Sequence, residues 1–345
     1  MFTAIVILNW NGKAFLEAFL SPLLDSIALL ETEVIIADNG STDGSVDFLR
    51  EHYPQLRLIL FEQNLGYTGG YNRALAQIEA KYYVLLNSDV QVDVNWLPPL
   101  LAFMESHPQA GICMPKILSQ SQPDFFEYAG ACGGFIDRYG YPFCRGRILS
   151  YVESDNGQYN TPMEIFWASG ACLLIRAALF HELGGFDDRF FAHMEEIDLC
   201  WRAKIKGFQV WVVPQSQVFH VGGGTLPNDS PQKLYLNYRN NLWMLYKNLP
   251  PKRRYPLLFP RMLLDGLSAF VYLIQAKPKL FAAVVRAHRH FWKGRKQLTP
   301  NTTETIDPNV LTFIRQTIWN KSIVWNFFLH RKRLTFEKLS HIHPF

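Results

Sequence analysis

The chain has 345 residues, 48% of them hydrophobic, which is enough for one large or two modest domains with an ample core. Its net charge of +4 hides a split: residues 1–230 carry 14 Lys and Arg against 26 Asp and Glu, while residues 231–345 carry 20 against 4. An acidic body repels a polyanion and no nucleic-acid module is recognisable, so nucleic-acid binding is disfavoured. The basic region points instead to an anionic membrane surface, a lipid phosphate, or docking on the acidic body.

The opening MFTAIVILNW is too short for a leader, lacks a charged n-region, and reads as a first strand. Residues 3–9, 33–38, 56–61 and 82–87 are apolar, largely β-branched strand candidates, with helical patterns at 13–30, 45–53 and 70–80 between them. That alternation predicts a parallel α/β sheet buried on both faces, with its ligand beyond the carboxyl ends of the strands. Those ends carry Asn9, Asp38, Asn64 and Asn87 to Asp89. Residues 119–165 are rich in Gly, Pro and aromatics and read as irregular strands and loops inserted in the body. The sheet resumes at 165–176, a helix runs from near Met194 to Lys206, and FQVWVVP returns as a strand.

From residue 232 the pattern is helical. In one helix Arg261, Asp265, Ser268, Tyr272 and Gln275 make a narrow polar stripe on an apolar cylinder. In the next, Arg286, Arg289, Lys293 and Lys296 make a basic stripe. The pair fits interfacial membrane binding and also a helical subdomain packed on the body, and both can hold. No uninterrupted apolar run reaches the length of a membrane span. The five cysteines, Cys113, Cys132, Cys144, Cys172 and Cys200, are odd in number and form no C-x-x-C pair. With no secretory signal, reduced thiols in the cytosol are expected.

The densest chemistry is FFAHMEEIDLCWR, residues 190–202, with Glu195, Glu196 and Asp198 among aromatics and Leu. A carboxylate in such surroundings has its pKa raised toward a useful general-base value; a helix start with acids in its first turn explains the same pattern structurally. DNGSTDGS, from Asp38 to Ser45, reads as a strand, tight turn and helix start, but that reading does not require Asp38, which can accept hydrogen bonds from a base or ribose. NLGYTGGYNRAL, from Asn64, allows close backbone approach at Gly66 and Gly69 but has neither G-x-G-x-x-G nor P-loop spacing. Asp89 and His220, with a diphosphate, make a plausible set for Mg²⁺ or Mn²⁺, and the Gly222-Gly223-Gly224 run suits a loop moving over a ligand. His193 and Glu196 lack the second His of a zinc helix, and WASGAC is not G-x-S-x-G.

IVILNWNG, DNGSTDGS, NLGYTGGYNRAL, LLNSDV, WASGACLLIR, GGFDDRFFAHMEEIDLCWR, VVPQSQVFHVGG and LNYRNNLWMLYKNLP, in this order over about residues 3–250, resemble the inverting glycosyltransferases of family 2, in their rhamnosyltransferase-like branch. The resemblance implies an α/β GT-A fold over 1–230, a Rossmann-like nucleotide-binding sheet with an acceptor-binding half. Residues 231–345 would be a helical, basic, amphipathic extension. It implies a nucleoside-diphosphate sugar donor, of dTDP-rhamnose or UDP-hexose type, and a glycan or lipid-linked glycan acceptor. Asp38, Asn9 and Asn64 would meet the nucleotide, with Gly66, Gly69, Asn72, Asn87 and Ser88 around it. Asp89 would be the metal-binding acid and His220 a second ligand; Asn87 stands where many members have a further Asp. Glu196 falls on the general-base position with Glu195 as its rival, and Ser169, Gly170 and Asp198 would line the sugar and acceptor pocket. The expected location is cytoplasmic and peripheral on the inner face of the membrane. The competing readings are a catalytically degenerate scaffold and a nucleotidyltransferase, whose triphosphate loop is missing.

Overall fold

The computed structural model describes residues 3–222, 230–302, 307–330 and 333–339. Gly223, Gly224 and the HIH segment at 341–343 lie outside the described residues. Strands β1 (Thr3–Asn9), β2 (Thr32–Asp38), β3 (Arg57–Leu60) and β4 (Tyr82–Asn87) pair in parallel, in the order β3-β2-β1-β4. Helices α1 (Lys13–Ser26), α2 (Ser45–His52) and α3 (Gly66–Leu75) connect them. Covered on both faces, β1 and β4 are apolar runs without alternation, and Ile5, Val6, Val84 and Leu85 are fully buried. The chain moves outward from β1 to β2 and β3, then returns to β4 on the other side of β1. The carboxyl ends of β1 and β4 therefore flank the switch point where open α/β sheets hold ligands.

After β5 (Val90–Val92), α4 (Leu97–Ser106) and β6 (Ala110–Ser119) come five short strands: β7 (Gly134–Asp137), β8 (Pro142–Cys144), β9 (Arg147–Ile148), β10 (Tyr151–Val152) and β11 (Met163–Glu164). β12 (Cys172–Arg176) then enters between β4 and β6, antiparallel to both. It starts beside Leu86, at the carboxyl end of β4, and so must run backwards. The sheet is therefore mixed, not purely parallel. The strand expected over 165–176 also divides, because the Phe166 and Trp167 amides bond to the Gly134 carbonyl instead of a neighbour in the main sheet. α5 (Ala177–Glu182) and α6 (Glu195–Ile205) lead to β13 (Gln209–His220), which runs well past VVP and ends opposite Val90.

The C-terminal region holds α7 (Pro231–Asn248), α8 (Pro251–Ile274), α9 (Pro278–Gly294), α10 (Pro308–Gln316), β14 (Ile318–Trp319) and α11 (Ile323–Leu329). α9 buries Leu280, Ala283, Val284, Ala287 and Phe291 and turns Arg286, Arg289 and Lys293 to solvent. α8 does the reverse: its buried face is Arg254, Leu258, Arg261, Asp265 and Ala269. Arg261 Nε donates to Asp265 Oδ1 (2.9 Å), which also accepts from the Tyr141 hydroxyl (2.9 Å). Arg261 Nη1 reaches Asn241 of α7 at 2.6 Å. β14 pairs in parallel with β7, so a strand from the basic region completes a second, five-stranded sheet ordered β10-β9-β8-β7-β14. All five cysteines are buried and unpaired.

Candidate active site

The strand ends converge as the sequence implies. Asn9 Nδ2 donates to Asp38 Oδ2 (2.9 Å) and to the Ser41 hydroxyl (3.1 Å), and the Ser41 amide donates to Asp38 Oδ1 (2.9 Å). Asp38 is only 2% exposed, and each of its oxygens accepts one of these bonds. Asn9 Oδ1, by contrast, is buried with no hydrogen-bond partner and lies beside Gly12, where a Cβ would come within 2.5 Å of it and 3.0 Å of Ser88 Oγ. Asn64 holds its own turn, accepting from the Gly66 amide (2.8 Å) and from Asn39 Nδ2 (3.1 Å). Asn87 sits at the end of β4, half-buried beside Ser88.

Five residues expected at the site also have structural partners here. Gly66, with φ +74°, is where the 190s loop touches α3: a Cβ there would meet the Phe191 ring at 2.5 Å. Gly69 lies against Leu65, where a Cβ would come within 3.2 Å, so close packing calls for a small residue at both positions. Asn72 is spent as well, donating to the Phe186 carbonyl (2.8 Å) and Asp188 (2.6 Å) and accepting from the Phe186 amide (2.9 Å). Asp198, expected in the acceptor pocket, is 0% exposed and bonded to Arg202 (2.8 Å), Lys247 (3.1 Å) and Asn248 (2.8 Å). Burial would raise its pKa, but Arg202 and Lys247 outweigh burial and hold it below the usual range. It fastens α6 to α7. The Ser169 hydroxyl is committed to the Ala129 carbonyl and the Ala171 amide, and so shapes the wall without offering a free group.

Glu195 and Glu196 open α6, and neither forms an ion pair among the described residues. Glu195 is 5% exposed, its Oε2 buried without a partner among the described residues; burial first, then Glu196 and Asp198, push its pKa well above the ordinary range. Glu196 is only partly covered; burial raises it to about 7, resisted by the amides of the helix start. Gly170 sits against both the Glu196 side chain and the Tyr67 hydroxyl, which donates to the Gly170 carbonyl (2.8 Å). The loop that delivers the pair is strained: Phe191, His193 and Met194 have φ of 65°, 71° and 74°, each costing on the order of 1–3 kcal/mol. Two neighbouring side chains of α7 hold it. Buried Asn240 of α7 points its amide at the carbonyls of Phe190 (2.9 Å), Ala192 (2.8 Å) and His193 (2.7 Å). Arg239 adds bonds to Arg189 and Phe190.

At the end of β13, His220 Nε2 lies 3.2 Å from Asp89 Oδ1, and its Nδ1 lies 3.3 Å from Glu127 Oε2. Burial alone would lower the imidazole pKa, but with no ion beside it the two carboxylates outweigh burial and raise it to about 10; a divalent ion at Nε2 would have to displace that proton. Adjacent donors around a cation with bonds of about 2.1 Å stand about 3 Å apart, so the Asp89 and His220 atoms fit a shared divalent ion. Glu127, on the other ring nitrogen, would orient the imidazole. No group of three or more His, Cys, Asp or Glu among the described residues could hold a metal, so such an ion needs oxygens from a ligand. Sequence reasoning missed Glu127, although an acid among aromatics in FFEYAG is the same signal that marks Glu195 and Glu196. Asn240 was legible only as part of NYRNNLW.

The family model for glycosyl transferase family 2 matches residues 4–184. The chain belongs to that family. Among its relatives, an N-acetylglucosaminyl-diphospho-decaprenol L-rhamnosyltransferase of Mycobacterium tuberculosis is 29% identical over 255 residues, covering 68% of this chain and 81% of that protein. The structure of GalNAc-T7 with UDP, GalNAc and Mn²⁺ superposes with a TM-score of 0.58 at 14% identity, over 96% of this chain and 58% of that one. A mannosyltransferase from Pyrobaculum calidifontis, in complex with GDP-mannose and Mn²⁺, gives 0.51 at 13% identity, over 84% and 86%. The family 2 chain thus has a GT-A fold with a helical C-terminal region, and it is a glycosyltransferase.

Proposed function

We propose that this glycosyltransferase moves a deoxyhexose, L-rhamnose, from a nucleoside diphosphate to a hydroxyl of a lipid-linked N-acetylglucosaminyl diphosphate, inverting the anomeric carbon. The observation that carries the chemistry is the unpaired Glu195-Glu196 start of α6, with Glu196 raised to about 7 and partly open beside Gly170. The mycobacterial relative supports the choice of sugar and acceptor. Glu196 takes the proton of the acceptor hydroxyl as that oxygen bonds to the anomeric carbon, and the bond to the diphosphate breaks with its electron pair leaving on the phosphate. General-base help of this kind is worth roughly 10²–10⁴ in rate. Glu195, whose pKa burial and the neighbouring Glu196 push well up, disfavours a second negative charge next to the base. Asn9 and Ser88 line the switch point where the nucleotide would lie, and Asp89 with His220 would hold Mg²⁺ or Mn²⁺. Bound there, the ion supplies Lewis-acid stabilisation of the departing diphosphate. A lipid-linked acceptor puts the reaction at the inner membrane surface.

The test is an assay of purified protein with dTDP-rhamnose, UDP- and GDP-sugars, a polyprenyl-diphospho-N-acetylglucosamine acceptor, and Mn²⁺ or chelator. One deoxyhexose added to the acceptor, lost with chelator and in Asp89→Ala, is the expected result. Transfer from a different donor would correct the sugar. No donor consumed by a well-folded sample would overturn the reading.

A further inference from the structure

α8 is built inside out. Its buried stripe holds Arg254, Arg261 and Asp265, while Tyr255, Phe259, Leu263, Leu267, Phe270 and Ile274 are 50–70% exposed. Most of these follow one another at intervals of four, so they form a continuous ridge along the helix. A helix of a water-soluble body turns its apolar stripe to the core, and a contiguous exposed apolar face marks an interaction site. The charge around the ridge says what it meets. Between residues 251 and 300 there are eleven Lys and Arg and one acid, Asp265, which is buried against Arg261. Exposed Lys252 and Arg253 stand at one end of the ridge and exposed Lys277 and Lys279 at the other. A second copy of this chain would bring an equally cationic rim against the first. An anionic phospholipid surface instead receives both parts, acyl chains taking the ridge and headgroups taking the lysines and arginines.

We infer that α8 is the membrane-docking element of this enzyme: it lies in the plane of an anionic bilayer, its Phe259 to Ile274 ridge in the acyl boundary and its Arg261-Asp265 face on the protein. The helix is 24 residues long and apolar enough to span. It lies flat because the Arg261 and Asp265 side chains are tied to Asn241 and Tyr141 of the body. The docking also has a route to the site, since Asn241, which Arg261 holds, is the neighbour of Asn240, which clamps the Glu195-Glu196 loop. The purpose of the docking rests on the proposed lipid-linked acceptor, but the docking itself can be tested with no sugar present.

The test is co-sedimentation with vesicles of phosphatidylcholine, pure or mixed with phosphatidylglycerol. The wild-type chain is expected to bind the mixed vesicles more tightly than pure phosphatidylcholine, and high salt should remove that preference. Phe259→Gln/Leu263→Gln/Leu267→Gln should bind at least about tenfold less, with the circular-dichroism melt and the nucleotide-sugar thermal shift unchanged. Lys277→Glu/Lys279→Glu should lose only the preference for phosphatidylglycerol. Hydrogen exchange on the unmodified protein gives a readout independent of any variant: mixed vesicles should protect residues 255–274 above the rest of the chain. A wild-type chain that stays in the supernatant, a triple variant that binds as well as wild type, or protection elsewhere would overturn the inference. So would a wild-type dimer in light scattering that the triple variant dissolves without vesicle binding, because the ridge would then belong to a second copy. A failed sugar-transfer assay alongside intact vesicle binding would refute the proposed reaction and leave the docking standing.

Discussion

The acids at the start of α6 and the acids beneath the C-terminal helices are all withdrawn from water, Glu196 least, and they are treated oppositely. Glu195 and Glu196 have no cation beside them among the described residues, and burial drives their pKa values up. Two residues later on the same helix, Asp198 is ringed by Arg202, Lys247 and Asn248 and pulled down; on α8, Asp265 is pulled down by Arg261, against burial. Burial alone therefore does not mark a working carboxylate. What marks it is burial without a counter-charge, an arrangement that costs stability and leaves a group ready to take a proton.

The sharpest way to break this contrast is to neutralise each kind of acid. Glu196→Gln should lower kcat by roughly 10²–10⁴ while leaving the donor thermal shift intact, and normal turnover would remove Glu196 from the base role. Asp265→Ala should act on stability instead. It strands the buried Arg261 and should cost about 3–5 kcal/mol in urea unfolding; a change within error would mean the network is ornamental. Asn240→Ala tests the clamp between the two regions: with three loop carbonyls released, kcat should fall about 10²-fold while the donor KM moves little. An equal rise in KM would point to a collapsed pocket.

The pH dependence separates the two kinds of acid by sign. Glu196 has a folded pKa raised from 4.5 to about 7, so its contribution to stability is complete below 4.5 and is lost as pH rises toward 7. Glu195→Gln/Glu196→Gln should therefore gain stability over wild type across that window and keep the gain above it. Asp198 and Asp265, with lowered pKa values, contribute stability above about 4 that is lost on acidification. Melting temperatures taken from about pH 2 to 8 check both, and a double variant whose gain over wild type is no larger at pH 8 than at pH 4.5 would refute the strain assigned to the pair. The smallest effect belongs to the α8 ridge, where Leu267→Gln should change unfolding free energy in vesicle-free buffer by no more than about 0.5 kcal/mol.

Much of the body was legible because β1, β2 and β4 are unmistakable apolar runs and each ends in a polar residue that the fold brings to one edge. The Glu195-Glu196 pair and the meeting of Asp89 with His220 were legible for a related reason, since acids and a histidine stood out against aromatic neighbours. What sequence could not show was pairing across long separations. Asp198 looks no different from Glu196 until Lys247 and Asn248 arrive from α7, and Gly66 looks like a ligand loop until Phe191 is seen against it. Glu127 was lost in a stretch without periodicity, because strands of two to four residues are too short for an alternation to register. The polar stripe of α8 was visible, but which way it faced depended on Asn241 and Tyr141.

One pairing has a consequence for the order in which the protein takes shape. β7 is synthesised early, yet its parallel neighbour is β14, and the Asp137 carboxylate at its end accepts from the Ile323 amide, 186 residues further along. Until that late segment arrives, the growing chain carries a bare sheet edge ending in a buried acid with one backbone donor missing. An open edge of this kind recruits whatever strand is nearest. On the ribosome, the hazard for this enzyme lies in the roughly 10–40 seconds between making the middle of the chain and making the piece that closes it.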